Sequence, residues 1–121
     1  MGYTQKKGQQ GEVLAYEYLI EQGLRLISKN YHCRYGEIDL IMQQDDIIVF
    51  IEVRSRKVDN LVDSAASINW KKQQKLQRSA ENYLQTKKVD PSIPARFDVI
   101  AITHKQNETS QIDWIQNAFD G

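Results

Sequence analysis

Two short apolar segments joined by a polar turn constrain this chain more than any other feature. Residues 36–42 (GEIDLIM) and 47–54 (IIVFIEVR) are rich in β-branched and apolar side chains, and Gln43–Asp46 separates them. Runs of this length and composition predict two β-strands, and the short polar connection predicts that they pair as an antiparallel hairpin.

Each of the two segments carries one acid among its apolar residues. With Asp45 and Asp46 as the two turn residues, the hairpin register places Asp39 directly opposite Glu52. Opposed like charges repel each other, and buried acids are rare unless they are paired or bound to a metal. We therefore expect a positive charge between them, and a divalent cation, Mg²⁺ or Mn²⁺, would supply it.

The remaining elements follow from hydrophobic periodicity. Apolar residues recur at three- and four-residue spacing in 8–22 and 69–86, which predicts helices, whereas 24–32, 96–103 and 111–116 are typical of strands. The order α-β-β-β-α-β-β predicts an α/β fold with a mixed central sheet. The first three strands would form an antiparallel meander, and the second helix would return the chain to a parallel strand.

The composition is that of an ordinary globular domain. With 121 residues, 40% of them hydrophobic, we expect one domain covering 1–121. No apolar run approaches the roughly 20 residues that span a bilayer, and no apolar stretch follows the N-terminal lysines as in a secretory signal. The lone Cys33 argues against a disulfide framework, so we expect a cytoplasmic protein without a membrane partner.

The net charge of zero hides an uneven distribution. Residues 54–88 hold nine Lys/Arg and three Asp/Glu, a balance of +6, whereas 1–53 and 89–121 each have a balance of −3. Three cations recur at i, i+4 and i+7 on one side of the second predicted helix: Lys71, Lys75 and Arg78. Such a face could bind phosphate. The alternative is a solvated helix face.

Two further charged residues could join the acid pair. Arg54 lies two positions after Glu52 and therefore points to the same face of the sheet, and Glu12 falls on the inward stripe of the first helix. Acids beside a basic side chain suit metal-assisted phosphodiester hydrolysis. The alternatives are that Glu12 complements the helix dipole, that Glu52 and Arg54 form a solvated pair, and that Asp39 accepts backbone hydrogen bonds at a sheet end.

Four segments that contain these residues resemble the YraN-like family of small bacterial proteins: KGQQGEVLAYEYL (7–19), NYHCRYGEIDLI (30–41), VFIEVRSR (49–56) and RFDVIAIT (96–103). That family is similar to the restriction-endonuclease-like PD-(D/E)xK phosphodiesterases, and in layout to the archaeal Holliday-junction resolvases. The resemblance implies a three-layer fold with helices flanking a mixed sheet. It also implies a Mg²⁺- or Mn²⁺-dependent endonuclease acting on DNA, branched or single-stranded.

The resemblance assigns roles to residues of the candidate site. It implies that Asp39 is the metal-bridging aspartate and that Glu52 is the acid of the (D/E)xK element. Glu12 would be an outer metal ligand or water contact, and the backbone carbonyl of Val53 a further ligand.

Arg54 departs from the motif, because it stands where the superfamily has lysine. Arginine stays protonated and cannot act as a general base, although it can grip a phosphate. Three alternatives follow. The metal alone activates the water, Lys71 or Lys75 substitutes for the motif lysine, or the site binds nucleic acid without cutting it. The second is open because the superfamily sometimes relocates its lysine to this helix. Arg56 and Lys57, which follow the acidic strand, would contact the DNA backbone.

Three functions therefore stay open. The first is a metal-dependent nuclease, the second a non-catalytic nucleic-acid-binding protein on a nuclease fold, and the third a protein-interaction or assembly factor whose acids are structural. A homodimer would suit a two-fold junction, although nothing in the sequence demands one. Of the other residues, we expect Phe97 in the core, Asp98 in a structural salt bridge, and Tyr35 at the rim of the site or in contact with substrate.

Overall fold

The computed structural model describes residues 3–57, 68–105 and 109–119, with side chains from residue 10 onward. Within these residues the elements follow the predicted order α-β-β-β-α-β-β, and the ends of several extend beyond the predicted bounds. They are α1 (Tyr3–Glu21), β1 (Arg25–Cys33), β2 (Gly36–Gln44), β3 (Ile47–Lys57), α2 (Trp70–Thr86), β4 (Ala95–His104) and β5 (Ser110–Phe119).

The described strands form one mixed sheet in the order β1-β2-β3-β4-β5. The first three are an antiparallel meander, β4 runs parallel to β3, and β5 is antiparallel to β4. A parallel neighbour needs a crossover connection, and α2 lies in it. The α/β fold class with its mixed central sheet is therefore confirmed.

The β2–β3 hairpin has the predicted register from the turn as far as Leu40 and Ile51, whereas the next predicted pair, Asp39 and Glu52, is not part of the ladder. Gln44 pairs with Ile47 across a two-residue turn, and Leu40 pairs with Ile51. Asp45 has a φ of 51°, a left-handed conformation that Asp tolerates better than most residues and that tight hairpins require. The turn therefore sets which residues of the two strands face each other.

Each face of the sheet is covered by one helix. On the first face, Ala15 and Leu19 of α1 are fully buried in a cluster with six strand residues: Leu40, Met42, Val49, Ile51, Ile100 and Ile102. On the second, Leu76, Ala80 and Tyr83 of α2 pack in a cluster that contains Ile38, Ile41, Phe50 and Phe97. Burial on both faces explains why the central strands are almost continuously apolar. The predicted core position of Phe97 is confirmed.

Among the described residues, no helix combines the length and the apolar character needed to cross a bilayer.

Candidate active site

The β2–β3 ladder opens into a fork where the two acids lie. Regular pairing ends at Leu40 and Ile51, one step before Asp39 and Glu52. Beyond that step, the backbone N–H of Val53 donates to Asp39 Oδ2 at 2.8 Å. The carboxylate thus takes the bond that a backbone carbonyl of β2 would accept in a continued ladder. Asp39 does accept a backbone hydrogen bond at a sheet end, and it also lies beside Glu52.

The fork arises because β2 changes the faces of its side chains at Asp39. Residues two apart on a strand normally share a face, but Ile38 packs in the α2 cluster and Leu40 in the α1 cluster. On β1, Asn30 lies between the pairs Lys29–Leu40 and Tyr31–Ile38 and has a φ of 52°. Asn adopts this conformation more readily than most residues. Because Asn30 lies opposite Asp39, the backbone of β1 departs from regular strand geometry at the same place as that of β2.

The environment of Asp39 disfavours its charged form. Burial raises the pKa of this carboxyl to about 8, and the negative charge of Glu52 is the second cause. The N–H of Val53 opposes the rise, whereas a hydrogen bond with the Glu52 side chain and the charge of Glu12 add to it. The protonated form of Asp39 is therefore favoured more than in an exposed aspartate, and a proton on this carboxyl relieves part of the repulsion between the two acids.

A lysine supplies the remaining counter-charge. Lys72 Nζ lies 3.2 Å from Glu52 Oε2, with the lysine side chain 44% exposed and the glutamate side chain 12% exposed. Lys72 is in the first turn of α2, where its backbone N–H donates to the side chain of the N-cap residue Asn69 at 2.9 Å. The expected positive charge next to the acid pair is thus present as an ammonium group, and a divalent cation remains a prediction.

Glu12 reaches the fork from the opposite face. Its charge acts on Asp39, and the Asn30 amide, oriented with its nitrogen toward the carboxylate, donates to both oxygens of Glu12 at 3.3 Å. The neighbouring Gly11 packs closely on β3, where a Cβ would lie 2.5 Å from Ser55 Oγ. Among the described residues Glu12 acts on Asp39 through its charge and does not complete a group of three acids with Asp39 and Glu52.

The residues at the fork could hold a hard cation only if water molecules or substrate oxygens completed its coordination. Among the described residues, no three His, Cys, Asp or Glu side chains come together to hold an ion. In a β-strand the N–H and C=O of one residue point to the same side, so the carbonyl of Val53 points, like its N–H, toward Asp39. Two carboxylates and one carbonyl match Mg²⁺, which keeps several waters and takes substrate phosphate oxygens.

The remaining predicted residues lie on either side of the acid pair. Arg54 is half-buried on β3 and, by alternation with Ile48 and Phe50, lies on the face that α2 covers. Arg56 Nε donates to Thr103 Oγ1 at 3.4 Å, which ties it to β4, and Lys57 is exposed at the end of β3.

The predicted cations of α2 do not contact the acid pair directly. Lys71, Lys75 and Arg78 line a groove together with Arg34 and Tyr35 of the β1–β2 turn. The lysine that does contact the pair, Lys72, was missed by the pattern.

A signal for Lys72 was nevertheless present in the sequence. It lies four residues before Leu76, on the continuation of the stripe that faces the sheet. Asn30, which opens the resembling segment 30–41, was missed as well: Asn tolerates a left-handed backbone, but its place inside a predicted strand indicated an extended one.

Asp98 takes part in a structural network rather than in the candidate site. It is 1% exposed and forms the predicted salt bridge with Arg96, whose Nε lies 3.0 Å from its Oδ1. It also accepts hydrogen bonds from Trp114 Nε1 at 2.9 Å and from the backbone N–H of Asn117 at 2.8 Å. Within the described part of the chain its donors lie on β4 and β5, so Asp98 joins those two strands.

Comparison with known proteins places the chain among close relatives. A family model described as "Uncharacterised protein family UPF0102" matches residues 11–102. A UPF0102 protein of Legionella pneumophila (strain Corby) is 48% identical over 117 residues, which cover 97% of both chains. A UPF0102 protein of Nitrosomonas eutropha is 48% identical over 120 residues (99% and 98% covered), and one of Psychromonas ingrahamii is 50% identical over 116 residues (96% and 91% covered).

Proposed function

This chain belongs to the uncharacterised protein family UPF0102, and we propose that it is a metal-dependent nuclease that acts on DNA. The observation that carries the proposal is the meeting of Asp39, Glu52 and Lys72 at the β2–β3 fork. Two acids and a lysine meet here at the end of a hairpin whose buried residues are apolar. Strongly shifted pKa values of this kind cluster at functional sites.

The acids suit a Mg²⁺ or Mn²⁺ ion that is completed by water and by the substrate. Asp39 and Glu52 would hold the ion, the Val53 carbonyl would assist, and Glu12 would contact a ligating water. A bound ion supplies a polarised phosphate and a water of lowered pKa. Because burial raises the pKa of Asp39 to about 8, this carboxyl must release its proton on binding, so metal affinity rises with pH.

The two basic residues divide the work that one lysine does in the superfamily motif. Arg54 binds a phosphate oxygen pair through its planar guanidinium. Lys72, 3.2 Å from Glu52, holds the attacking water and neutralises charge that develops on the phosphate. Lys72 of α2 thus takes the role of the motif lysine. The presence of arginine instead of lysine at position 54 is therefore compatible with catalysis.

A cleavage assay with matched acid variants tests the proposal. Labelled four-way junction, flap and single-stranded DNA are incubated with Mn²⁺ and with wild type, Asp39→Asn, Glu52→Gln or Glu17→Gln. Wild type and the Glu17→Gln control, which alters an exposed acid of α1, should cleave at least one substrate, and the other two variants should not. No cleavage by wild type, or cleavage that survives in Asp39→Asn, contradicts the proposal.

A non-catalytic nucleic-acid-binding protein is the second candidate, and Arg54 in the lysine position favours it. This alternative predicts salt-sensitive DNA binding without turnover in the wild type. It also predicts that Arg54→Lys gains cleavage activity that the wild type lacks. Cleavage by the wild type rejects this alternative, whatever the activity of Arg54→Lys.

A further inference from the structure

A groove beside the acid pair is lined mainly by cations. It has a volume of about 310 Å³ and lies between the β1–β2 turn and α2, with the lining residues Arg34, Tyr35, Lys71, Gln74, Lys75 and Arg78. Four of these described lining residues are cations and none is an acid. A second cavity of about 410 Å³ extends past Arg78 to Glu81, so the uniformly basic part ends there.

We propose that this groove binds a single-stranded segment of the DNA substrate, with phosphates on its four cations and a base against Tyr35. The proposal rests on the nuclease function and adds two residues of the β1–β2 turn, Arg34 and Tyr35, to the substrate site. It makes unpaired DNA next to the scissile bond the feature that the protein recognises.

The two walls of the groove, β2 and α2, both continue to the acid pair. Gly36, with a φ of 147°, brings the start of β2 against α2, where a Cβ on it would lie 3.9 Å from Lys75 Cβ and 3.6 Å from Ser79 Oγ. From Gly36 to Asp39 the strand advances about 10 Å, and from Lys75 to Lys72 the helix advances about 4.5 Å. At roughly 3.4 Å per stacked nucleotide, a strand in the groove reaches the acids within about three nucleotides.

The composition of the groove favours one strand over a duplex. Lys71 to Arg78 extend over about 10 Å of helix, so these three cations can contact successive phosphates of one strand. Arg34 lies with its guanidinium carbon 4.9 Å from the centre of the Tyr35 ring and so fixes that ring beside the cations. Basic grooves with aromatic platforms are typical of single-strand binding, and a base can stack on the ring only when it has left its duplex.

Binding measurements in the Asp39→Asn background test the groove separately from catalysis. Fluorescence anisotropy compares a labelled single strand with a duplex of the same sequence, across a range of salt concentrations. We expect the single strand to bind more tightly. Replacing Lys71, Lys75 and Arg78 with Gln should reduce the slope of log affinity against log salt by about two, at ~0.7 per phosphate contact. Tyr35→Leu should weaken binding about 5- to 150-fold, whereas Tyr35→Phe should retain it.

A charge-matched variant controls for non-specific attraction. Arg25, Lys87 and Lys88 are exposed cations at the far ends of the sheet and of α2, and their replacement with Gln should leave the salt slope within about 0.5 of the parent. Equal or tighter binding of duplex, absence of binding, or an unchanged slope in the groove variant overturns the proposal. Cleavage that fails while groove-dependent binding persists refutes the nuclease and leaves the groove assignment intact.

Discussion

The contact between Lys72 and Glu52 is the most informative single interaction in the candidate site. Lys72 is in the first turn of α2, next to Lys71, and no acid lies in that turn. Basic residues at a helix N-terminus oppose the helix dipole, so the sequence departs from local preference there. Such departures are expected where a residue serves a site, and the Glu52 carboxylate 3.2 Å away offsets the cost.

Replacing Lys72 with Met should separate metal binding from catalysis. Removing the ammonium relieves a repulsion toward a bound cation of at least about 1 kcal/mol, even at the dielectric constant of water, so Mn²⁺ affinity should rise roughly fivefold. Cleavage should slow by about 10²-fold or more, because a preorganised charge is lost. Calorimetric Mn²⁺ titration and the cleavage assay measure the two effects. Lys87→Met is the matched control, and an unchanged cleavage rate in Lys72→Met would assign Lys72 to stability alone.

At the scale of elements, regular strand pairing is interrupted at two places in the sheet, with different structural consequences. At the first, β1 and β2 change face near Asn30 and Asp39, and the Asp39 carboxylate binds the N–H of Val53. At the second, the register of β4 and β5 shifts between Phe97 and Val99, and Asn117 has a φ of 52°. In both places a carboxylate accepts a backbone N–H that regular pairing would otherwise use. The first opens a site, and the second holds an edge strand.

Asp98→Ala should loosen β5 from the sheet. The change leaves Arg96 as an unpaired, largely buried charge and removes the acceptor of Trp114 and Asn117, so we expect a loss of about 3–5 kcal/mol in the free energy of unfolding. Urea denaturation followed by circular dichroism measures this loss. Asp113→Ala, which removes an exposed acid of β5, should change stability by less than about 0.5 kcal/mol. Equal effects of the two substitutions would show that the Asp98 network contributes little.

At the scale of the whole molecule, a sheet buried on both faces contains an acid cluster at one end of its central hairpin. Burial raises the pKa of Asp39 to about 8, far above the value of about 4 for the unfolded chain. The folded state therefore binds a proton that the unfolded state releases between these two values. The contribution of Asp39 to stability is full below about pH 4 and is lost as pH rises through about 8.

Replacing Asp39 with Asn should remove this pH dependence. The free energy of unfolding of wild type relative to Asp39→Asn should fall steadily between pH 5 and pH 9, and Mn²⁺ should restore stability to the wild type at the alkaline end. Thermal or urea unfolding across this range, with and without Mn²⁺, measures the difference. A difference that is constant with pH would mean that Asp39 is ionised throughout. Glu17→Gln, which alters an exposed acid, should show no such trend.

The sequence by itself determined the order of the elements, the hairpin register near the turn and the core position of Phe97. These depend on neighbours along the chain: periodicity defines the strands and helices, and a two-residue turn at Asp45 and Asp46 decides that Leu40 faces Ile51. The proximity of Asp39 and Glu52 follows from the same register. The salt bridge of Asp98 was predictable because an acid in a buried apolar strand requires a partner.

Only the tertiary structure decided what surrounds the acid pair. Successive helix residues differ by about 100° in direction, so the seating of α2 on the sheet determines that Lys72, rather than Lys71 or Lys75, contacts Glu52. The opening of the ladder at Asp39 likewise depends on three elements packing together. The groove with Arg34 and Tyr35 joins residues more than 30 positions apart in sequence, and such contacts leave no local pattern because they depend on the docking of whole elements.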